Sequence, residues 1–481
     1  MMLGIAVILF VCVMLLAVGF WASRKVKTSE DYFVGGRGIG ALVTIGTQCA
    51  TFVGGGMTLG WIGMGFRYGL GAAWYGAPQA LGFFFMAAVL VKSMRARGAA
   101  FVSLPDWFDN FYHNKTLSIV TALACLIVPI TWVTAQVTAA ARMLETLGMP
   151  YWMGVLLIGG VVVLFSTIGG YVAVVYTDTI QWIVLFVIFC ATVSFAIIHV
   201  GGFGEISRSV PEHMMNPMTV EGMPNYTIFL WIISGLVSGM GLQSSYQRIY
   251  SAKSDGVAKA GLISTGIATT FFAVLTAFVG MAVFLSGGPT DLQNDSVWPW
   301  FLDNYMQPWV SVIYSVCIIM ATMSTASSML NSISLTITHD LYSKFINPKA
   351  SDKKVLRLGI IVSGVFGIIS LWWALGGSWM IALFGISYSV GCGPMAAAVI
   401  TAALMKKKGN PLCIVGGVIL GVIVGIITLK VPALADIPAG GTVFSFFAAL
   451  LICVGGSLIW KPKGGQEIDE NNNENRNREV A

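Results

Sequence analysis

The chain consists of long runs of apolar residues separated by short polar segments. A run of about 20 apolar residues is long enough to cross a bilayer as a helix. Runs of this kind predict thirteen transmembrane helices, numbered here as spans 1 to 13, at residues 2–23, 41–65, 71–92, 118–144, 151–171, 177–200, 227–247, 260–285, 308–335, 356–376, 378–404, 411–430 and 442–460. Hydrophobic residues make up 56% of the chain and charged residues 10%, too few to cover a soluble domain with polar side chains. The predicted fold class is an all-α polytopic membrane protein.

Basic residues are distributed unevenly between the two sets of loops. One set contains most of them, namely Arg24, Lys25, Lys27, Arg37, Lys92, Arg95, Arg97, Lys115, Arg248, Lys253, Lys259, Lys344, Lys349, Lys353, Lys354, Arg357, Lys406, Lys407 and Lys408. The other set contains only Arg67, Arg142, Arg208 and Lys430. Because cytoplasmic loops carry the excess of Lys and Arg, the pattern predicts a cell-membrane protein with its N-terminus outside and its C-terminus in the cytoplasm. Residues 461–481 are polar and predict a disordered cytoplasmic tail.

Two spans contain glycines at positions where a membrane helix would be weakened. Span 2 has three consecutive glycines at 54–56, and span 7 is rich in glycine and serine over 234–245. These spans are five apart, so they cross the membrane in opposite directions, and broken helices at matching positions of inverted halves mark the central site of a transporter. The predicted organisation is a preceding helix (1–24), two inverted five-helix repeats (41–200 and 227–404) and two peripheral helices (411–460). The alternative is close helix packing through small residues.

Asp178 has long apolar segments on both sides. A carboxylate at membrane depth needs a partner, so this residue is a candidate functional group. The alternative is a helix N-cap at the membrane surface, a position that favours Asp.

Hydroxyl side chains form a stripe along span 9. Ala321, Ser324, Thr325 and Ser328 share one helix face, and Ser327 borders it. Such oxygens, together with backbone carbonyls of Ala50 and Val53 released by the glycines that follow them, could replace the shell of a small hard cation. Taken alone, a Ser/Thr stripe is also typical of helix packing.

The energy source and the class of protein can be narrowed by what the sequence lacks. No Gly-Lys pair is present for a Walker A loop, and the four histidines lie in loops or at span ends. The sequence shows no nucleophile–base or metal constellation, so the chain is predicted not to be an enzyme. The basic residues form no patch for nucleic acid. We therefore expect transport driven by an ion gradient, with membrane lipid as the surroundings and no obligate protein partner.

These residues resemble the sodium:solute symporter family over about 30–345, and more weakly to 404. The motifs that carry the resemblance are residues 169–181 (GGYVAVVYTDTIQ), Gln247 with Arg248, and residues 321–332 (ATMSTASSMLNS). The resemblance implies a LeuT-type fold of two inverted five-helix repeats, with one helix before and two after them. It also implies sodium-driven symport by alternating access.

The family similarity further implies a sodium site formed by backbone oxygens of Ala50, Val53 and Ala321 and by the hydroxyls of Ser324 and Thr325. Sialic acid symporters add a second sodium, and the matching positions here are Asp178, Ser324, Ser327 and Ser328. Two sodium ions in each cycle is therefore the expectation.

The substrate is the part of the function that the sequence constrains least. Residues 34–37, 50–56, 77–78 and 94–98 resemble the high-affinity choline transporter branch, but Phe52 and Leu242 stand where that branch has cage tryptophans. The prediction is a small polar organic solute, either an organic cation, a zwitterion or an amino-acid-like compound. The candidate pocket residues are Phe52, Met57, Tyr75, Gln79, Trp132, Gln136, Gln243, Ser244 and Tyr388. The alternatives are uptake of a carboxylate or a sugar, or a different class of protein, namely a channel or a membrane sensor.

Overall fold

The structure is a computed structural model that describes residues 2–24, 26–95, 101–377, 380–405 and 409–460. The predicted tail at 461–481, together with Lys25, Arg97 and Lys406 to Lys408 of the basic loops, lies outside the described residues. Each predicted span contains helix in the described part of the chain. A single β-bridge, between Ile39 and Ala252, was found in it.

The α-helices in chain order are Met2–Ser23, Ser29–Val34, Ala41–Phe52, Gly55–Tyr68, Ala73–Gly76, Gln79–Phe85, Val91–Arg95, Leu104–Tyr112, Lys115–Thr146, Tyr151–His199, Phe203–Ser209, Glu212–Met215, Thr227–Met240, Gln243–Ser251, Asp255–Leu285, Val297–Tyr305, Pro308–Leu335, Asp352–Leu375, Met380–Ile386, Gly393–Met405, Pro411–Lys430, Pro432–Ala435, Gly440–Leu450 and Gly456–Ile459. The π-helical segments that join neighbouring helices are Met86–Leu90, Thr336–Ile346, Ser387–Cys392 and Leu451–Gly455.

Spans 2 and 7 are both discontinuous. Span 2 forms Ala41–Phe52 and Gly55–Tyr68, and Val53 between them has φ −92° and ψ 63°. Span 7 forms Thr227–Met240 and Gln243–Ser251, with a bend of 45° between the two helices. The breaks fall at the glycine-containing stretches because glycine is a poor helix former and leaves room for a close neighbour.

The glycines of span 7 also pack closely against span 3. A Cβ added to Gly239 would lie 2.6 Å from the Gln79 carbonyl oxygen, and one added to Gly235 would lie 2.7 Å from Pro78 Cβ. The helix-packing interpretation therefore holds for these two glycines, in addition to the break that follows them.

The predicted count of thirteen spans is not confirmed. Within the described residues, nine helices are long and apolar enough to cross a membrane, or ten if the bent pair of span 7 is one span. The numbers differ because neighbouring spans are continuous: spans 5 and 6 form Tyr151–His199, and residues 58–95 join spans 2 and 3. Span 1 contains a shorter apolar helix, Ile8–Trp21.

The helix Tyr151–His199 reverses direction in its middle. Its 49 residues would extend about 73 Å if straight, more than twice the hydrocarbon core of a bilayer. Gly170 interrupts the helix with φ 58° and ψ −167°. The Tyr151 hydroxyl donates to the Ala374 carbonyl at 2.7 Å, and the His199 ring lies 4.9 Å from that of Tyr305. Ala374 ends span 10 and Tyr305 precedes span 9, so both ends of the helix lie on the same face of the bundle.

Two long loops, residues 201–226 and 286–307, contact spans 2 and 3. Arg67, near the end of Gly55–Tyr68, donates to the Leu292 carbonyl and to Asn294 Oδ1, both at 2.7 Å. The Trp74 indole N–H donates to the Pro217 carbonyl at 2.8 Å. Large apolar side chains such as Ile198, Ile368 and Trp372 are exposed on the bundle, as expected for a surface that contacts lipid.

The helix Leu104–Tyr112, here called the connecting helix, is linked to the end of span 9 by charges. Lys344 Nζ lies 2.5 Å from Asp106 Oδ1 and 3.2 Å from Asp109 Oδ2. The Ser103 hydroxyl donates to Asp340 Oδ1 at 2.5 Å. On the face of the bundle opposite the two loops, this network therefore joins two segments that are far apart in the chain.

Candidate functional site

Four oxygen atoms meet where the break of span 2 faces span 9. They are the Ala50 and Ala321 carbonyl oxygens, Ser324 Oγ and Thr325 Oγ1, and we call them the oxygen cage. Thr325 Oγ1 lies 3.2 Å from the Ala50 oxygen and 3.3 Å from the Ala321 oxygen. Ser324 Oγ lies 2.8 Å from the Ala321 oxygen and 3.5 Å from the Ala50 oxygen. All four residues are buried, so the cage presents oxygen atoms in surroundings without bulk water.

The cage exists because the glycines let span 2 approach span 9. A Cβ added to Gly54 would lie 2.6 Å from Thr325 Oγ1 and 3.2 Å from Gln136 Oε1. Val53, the fifth residue of the expected first sodium site, caps Ala41–Phe52 with non-helical dihedral angles and is fully buried. Its carbonyl therefore departs from the direction of the helix.

Asp178 lies inside the helix Tyr151–His199, well past Gly170, and is fully buried, so the N-cap interpretation is wrong. Its Oδ2 accepts hydrogen bonds from the Thr47 hydroxyl at 2.7 Å and from the Ser328 hydroxyl at 3.0 Å. The Arg248 guanidinium approaches the same oxygen at 3.3 Å. The other oxygen, Asp178 Oδ1, is buried and has no hydrogen-bond partner among the described residues.

The serines of the expected second sodium site follow one another along span 9 from the oxygen cage to Asp178. Ser324 belongs to the cage, Ser328 contacts Asp178, and the Ser327 hydroxyl donates to the Ser324 carbonyl at 2.9 Å. The hydroxyl stripe of span 9 thus contacts span 2 at Ser324 and span 6, one helical turn further on, at Ser328. The Asp178 carboxylate thus has one oxygen, Oδ2, that accepts from two hydroxyls, and a second, Oδ1, for which no partner was found among the described residues.

An aromatic cluster adjoins the break of span 2. The Phe52 ring lies 6.0 Å from that of Trp132, and the Trp132 ring lies 5.2 Å from that of Phe384. Tyr388 stacks on Phe384 at 6.2 Å, and its hydroxyl is 3.4 Å from Gln79 Nε2. Four of the predicted pocket residues are therefore brought together: Phe52, Gln79, Trp132 and Tyr388.

Polar atoms without partners surround this cluster. Within the part of the chain that the structure describes, Gln136 Oε1, Gln136 Nε2 and Gln79 Oε1 are buried without hydrogen bonds. The Trp132 indole N–H donates to Ser387 Oγ at 2.9 Å, and Ser387 lies with Tyr388 in the π-helical segment Ser387–Cys392. Unpaired buried amides cost free energy and indicate a position where a polar ligand is received.

The remaining predicted pocket residues have different surroundings. Gln243 Oε1 accepts a hydrogen bond from the Leu104 backbone N–H at 3.0 Å, so this amide caps the connecting helix. Ser244 follows it, and its buried hydroxyl has no partner in the segments that the structure describes. Tyr75 packs against Trp231, with ring centroids 5.7 Å apart. The side chain of Met57 lies outside the described part of the structure.

Sequence reasoning missed several residues at the site. Arg248 was grouped with the basic residues of cytoplasmic loops, but its side chain is only 2% exposed and contacts Asp178. The sequence did contain a signal that Arg248 is buried, because it follows a polar run within span 7. An arginine in a loop would instead follow the end of an apolar span. Phe83 and Phe384 complete the aromatic cluster, with Phe83 4.5 Å from Phe52, and no local pattern distinguishes them from lipid-facing aromatics.

Discontinuous helices around a buried oxygen cage, beside an aromatic pocket with unpaired amides, define a secondary transporter that couples a cation to an organic solute. The chain belongs to the sodium:solute symporter family, whose model matches residues 32–425. This is a family of sodium-coupled transporters and not of enzymes. The protein is accordingly a multi-pass membrane protein with sodium as the coupling ion.

Individual relatives are similar along most of the chain. An osmoregulated proline transporter of Bacillus subtilis is 28% identical over 85% of this chain and 85% of its own length. A high-affinity choline transporter of Caenorhabditis elegans is 27% identical over 76% of this chain and 68% of its own. A solved sodium-coupled sialic acid symporter, in a substrate-bound outward-open state, superposes with a TM-score of 0.82 at 19% identity and covers 95% of this chain and 98% of its own. This last likeness confirms the predicted LeuT-type fold class.

Proposed function

We propose that the protein imports a small zwitterionic or cationic organic solute together with two sodium ions. The observation that carries the proposal is the oxygen cage, because each of its two hydroxyl oxygens lies within 3.5 Å of a carbonyl oxygen of span 2 and of a carbonyl oxygen of span 9. A cation bound there would hold the two spans together. Sodium would thereby stabilise the conformation in which the aromatic pocket accepts solute.

The second sodium is proposed at the free Oδ1 of Asp178 with hydroxyls of Ser324, Ser327 and Ser328. The support is the unpartnered, fully buried carboxylate oxygen on the serine-lined side of span 9. An anionic oxygen left without a proton donor at this depth costs free energy that a bound cation would offset.

The nature of the solute is inferred from the pocket. Its aromatic and amide side chains, those of Phe52, Gln79, Trp132, Gln136 and Tyr388, carry no charge, so a solute of zero net charge needs no counter-ion from them. Aromatic faces attract an ammonium group through cation–π interactions. A carboxylate on the solute would be attracted to the start of the helix Gly55–Tyr68, where the helix dipole is positive, and to the adjacent sodium ion. Relatives that carry proline or choline are consistent with such a solute.

The direction of transport follows from the proposed orientation, with the N-terminus outside and the C-terminus in the cytoplasm. The support is the excess of basic residues in one set of loops. Sodium and solute would enter together from outside. The bundle would then close on the side of residues 201–226 and open on the side of the connecting helix.

The test is uptake and binding by the purified protein in proteoliposomes. Proline, choline, glycine betaine, sialic acid and glucose would first be screened by thermal stabilisation in sodium and in potassium, since a ligand that binds only the folded state raises its stability. Stabilisation by a zwitterion or an organic cation in sodium alone is the expected result. Stabilisation only by glucose or sialic acid, or equal stabilisation in potassium, would contradict the proposal.

The number of sodium ions would be read from the sodium dependence of uptake. The expected Hill coefficient is between 1 and about 2 for two cooperating sites, and Asp178→Asn is expected to bring it to about 1. Thr192→Val, which removes a hydroxyl that donates to the Ile188 and Phe189 carbonyls of its own helix, is the matched control and should change nothing. An unchanged coefficient in Asp178→Asn would remove the second site and leave the oxygen cage as the coupling site.

A further inference from the structure

Arg248 is a buried cation in the core of the bundle. It lies on Gln243–Ser251, the second helix of span 7, and its side chain is 2% exposed. Its Nη1 donates to the Ser244 carbonyl at 3.0 Å within its own helix. Its Nε and Nη2 extend to span 2, where they lie 3.1 Å and 2.8 Å from Thr47 Oγ1. A charged side chain in this position is costly, so its contacts should serve a function.

The Nη2 group of Arg248 is surrounded by more oxygens than it has hydrogens. Ser328 Oγ lies 2.7 Å away, Thr47 Oγ1 2.8 Å and Asp178 Oδ2 3.3 Å, and Thr51 Oγ1 is a fourth neighbour. An –NH2 group has two hydrogens, so it cannot make four good hydrogen bonds at once.

The hydroxyl hydrogens in this shell point away from the guanidinium. The hydroxyls of Thr47 and Ser328 donate to Asp178 Oδ2, and that of Thr51 donates to the Thr47 carbonyl at 2.8 Å. The lone pairs of all three oxygens are therefore left for Nη2. The shell therefore consists of one carboxylate oxygen and the lone pairs of three hydroxyl oxygens. Such a shell suits a small cation, and the Arg248 guanidinium occupies it.

This shell shares two residues with the proposed second sodium site. Asp178 and Ser328 contact Arg248 through Oδ2 and Oγ, while Asp178 Oδ1 is unpartnered. A sodium ion at Oδ1 would place two cations on one buried carboxylate. Because charges interact strongly where water is excluded, each cation would weaken the binding of the other.

We propose that Arg248 competes with sodium for Asp178 and thereby tunes the affinity of the second sodium site, an inference that rests on the proposed function. With that site empty, the guanidinium neutralises the carboxylate and ties the second helix of span 7 to spans 2, 6 and 9. Sodium at Oδ1 weakens this tie. The return of Arg248 to Asp178 then favours release of the ion, so sodium occupancy is linked to the contact between Arg248 and Asp178.

The second helix of span 7 is also held at points that sodium does not touch. Gln247 Nε2 donates to the Phe33 carbonyl and to Asn331 Oδ1, and the Ile39 N–H donates to the Ser251 carbonyl at 3.1 Å. These contacts keep the helix in place when the tie to Asp178 weakens. Loss of the Arg248 contact should therefore change sodium affinity without unfolding the helix.

The experiment measures sodium affinity in full-length variants, by radioactive sodium binding in detergent and by thermal stabilisation as a function of sodium concentration. Arg248→Gln is expected to bind sodium at least about 10-fold more tightly than the wild type, because the competing charge is gone. Its maximal uptake rate should fall, since sodium release becomes slow. Arg248→Lys keeps the charge and should restore an affinity within about 3-fold of the wild type.

A merely structural role for Arg248 predicts the opposite sign. Arg248→Gln would then bind sodium equally or more weakly, and that result overturns the proposal. If Arg248→Gln does not fold, Arg248→Met supplies the test, because it removes the charge and keeps a long side chain in the same space. Sodium binding tighter by at least about 10-fold is again expected, and unchanged or weaker binding overturns the proposal.

The failure of the competition and the failure of the second sodium site are distinguishable. If Asp178→Asn leaves the sodium Hill coefficient unchanged, the site itself is absent. If Asp178→Asn lowers the coefficient while Arg248→Gln leaves affinity unchanged, the site exists and the competition is refuted. The double variant Asp178→Asn with Arg248→Gln should show no affinity gain, because the carboxylate for which the two cations compete is missing.

Discussion

The packing of Gly54 against the oxygen cage leads to a sharp prediction for Gly54→Ala. The backbone at Gly54 has φ −77° and ψ 162°, a conformation open to any residue, so alanine causes no backbone strain there. Its Cβ, however, would lie 2.6 Å from Thr325 Oγ1, whereas ordinary contact begins at 3.4 Å. Either Thr325 or the break of span 2 must move by several tenths of an ångström.

The size of the effect follows from what this movement does to the cage. Thr325 Oγ1 is 3.2 Å from the Ala50 oxygen, and separating spans 2 and 9 pulls these two ligands apart. Loss of one ligand contact, or of the group that orients it, typically lowers metal affinity by about 10- to 100-fold. At about 1.4 kcal/mol for each tenfold change, this corresponds to roughly 1.4 to 2.8 kcal/mol of sodium binding free energy.

The assay is the sodium dependence of solute uptake in proteoliposomes, combined with thermal stabilisation of the purified protein by sodium. Gly54→Ala should need about 10- to 100-fold more sodium for half-maximal uptake while still folding. Gly160→Ala is the matched control, since a Cβ there would meet nothing within 4 Å. Wild-type sodium dependence in Gly54→Ala would refute the assignment of the cage as the coupling site.

Three further predictions follow from other contacts. Thr325→Val should lower the apparent sodium affinity of uptake by about 10-fold or more, because it removes the hydroxyl that belongs to the cage. Thr325→Ser keeps that hydroxyl and should stay near the wild type, and equal behaviour of the two variants would contradict this prediction. Gly170→Ala should destabilise the fold by about 1 to 3 kcal/mol in thermal unfolding, because φ there is 58°, while Gly364→Ala, whose Cβ meets one atom at 4.0 Å, should not. Lys344→Met should speed hydrogen exchange in the connecting helix, because Asp106 and Asp109 lose the cation that they share. Lys349→Met, at an exposed lysine, is the control, and equal exchange rates in the two variants would argue against the charge link.

Much of the architecture was predictable because its signals are local. A run of apolar residues is stable as a helix in lipid whatever its neighbours are, so the spans could be read without knowing their partners. The breaks in spans 2 and 7 were likewise predictable, since glycine weakens a helix at its own position. The hydroxyl stripe of span 9 followed from helix periodicity alone.

The contacts between spans were decided only by the tertiary structure. The sequence indicated that Asp178 needs a partner, but the partner, Arg248, lies 70 residues away. The reversal at Gly170 and the capping of the connecting helix by Gln243 also depend on segments that meet only in the folded chain. A local sequence pattern shows whether one segment prefers lipid and whether it prefers to be a helix. The partner of a buried charge is different, because it is a side chain from a distant segment that only the packing of the folded chain brings close.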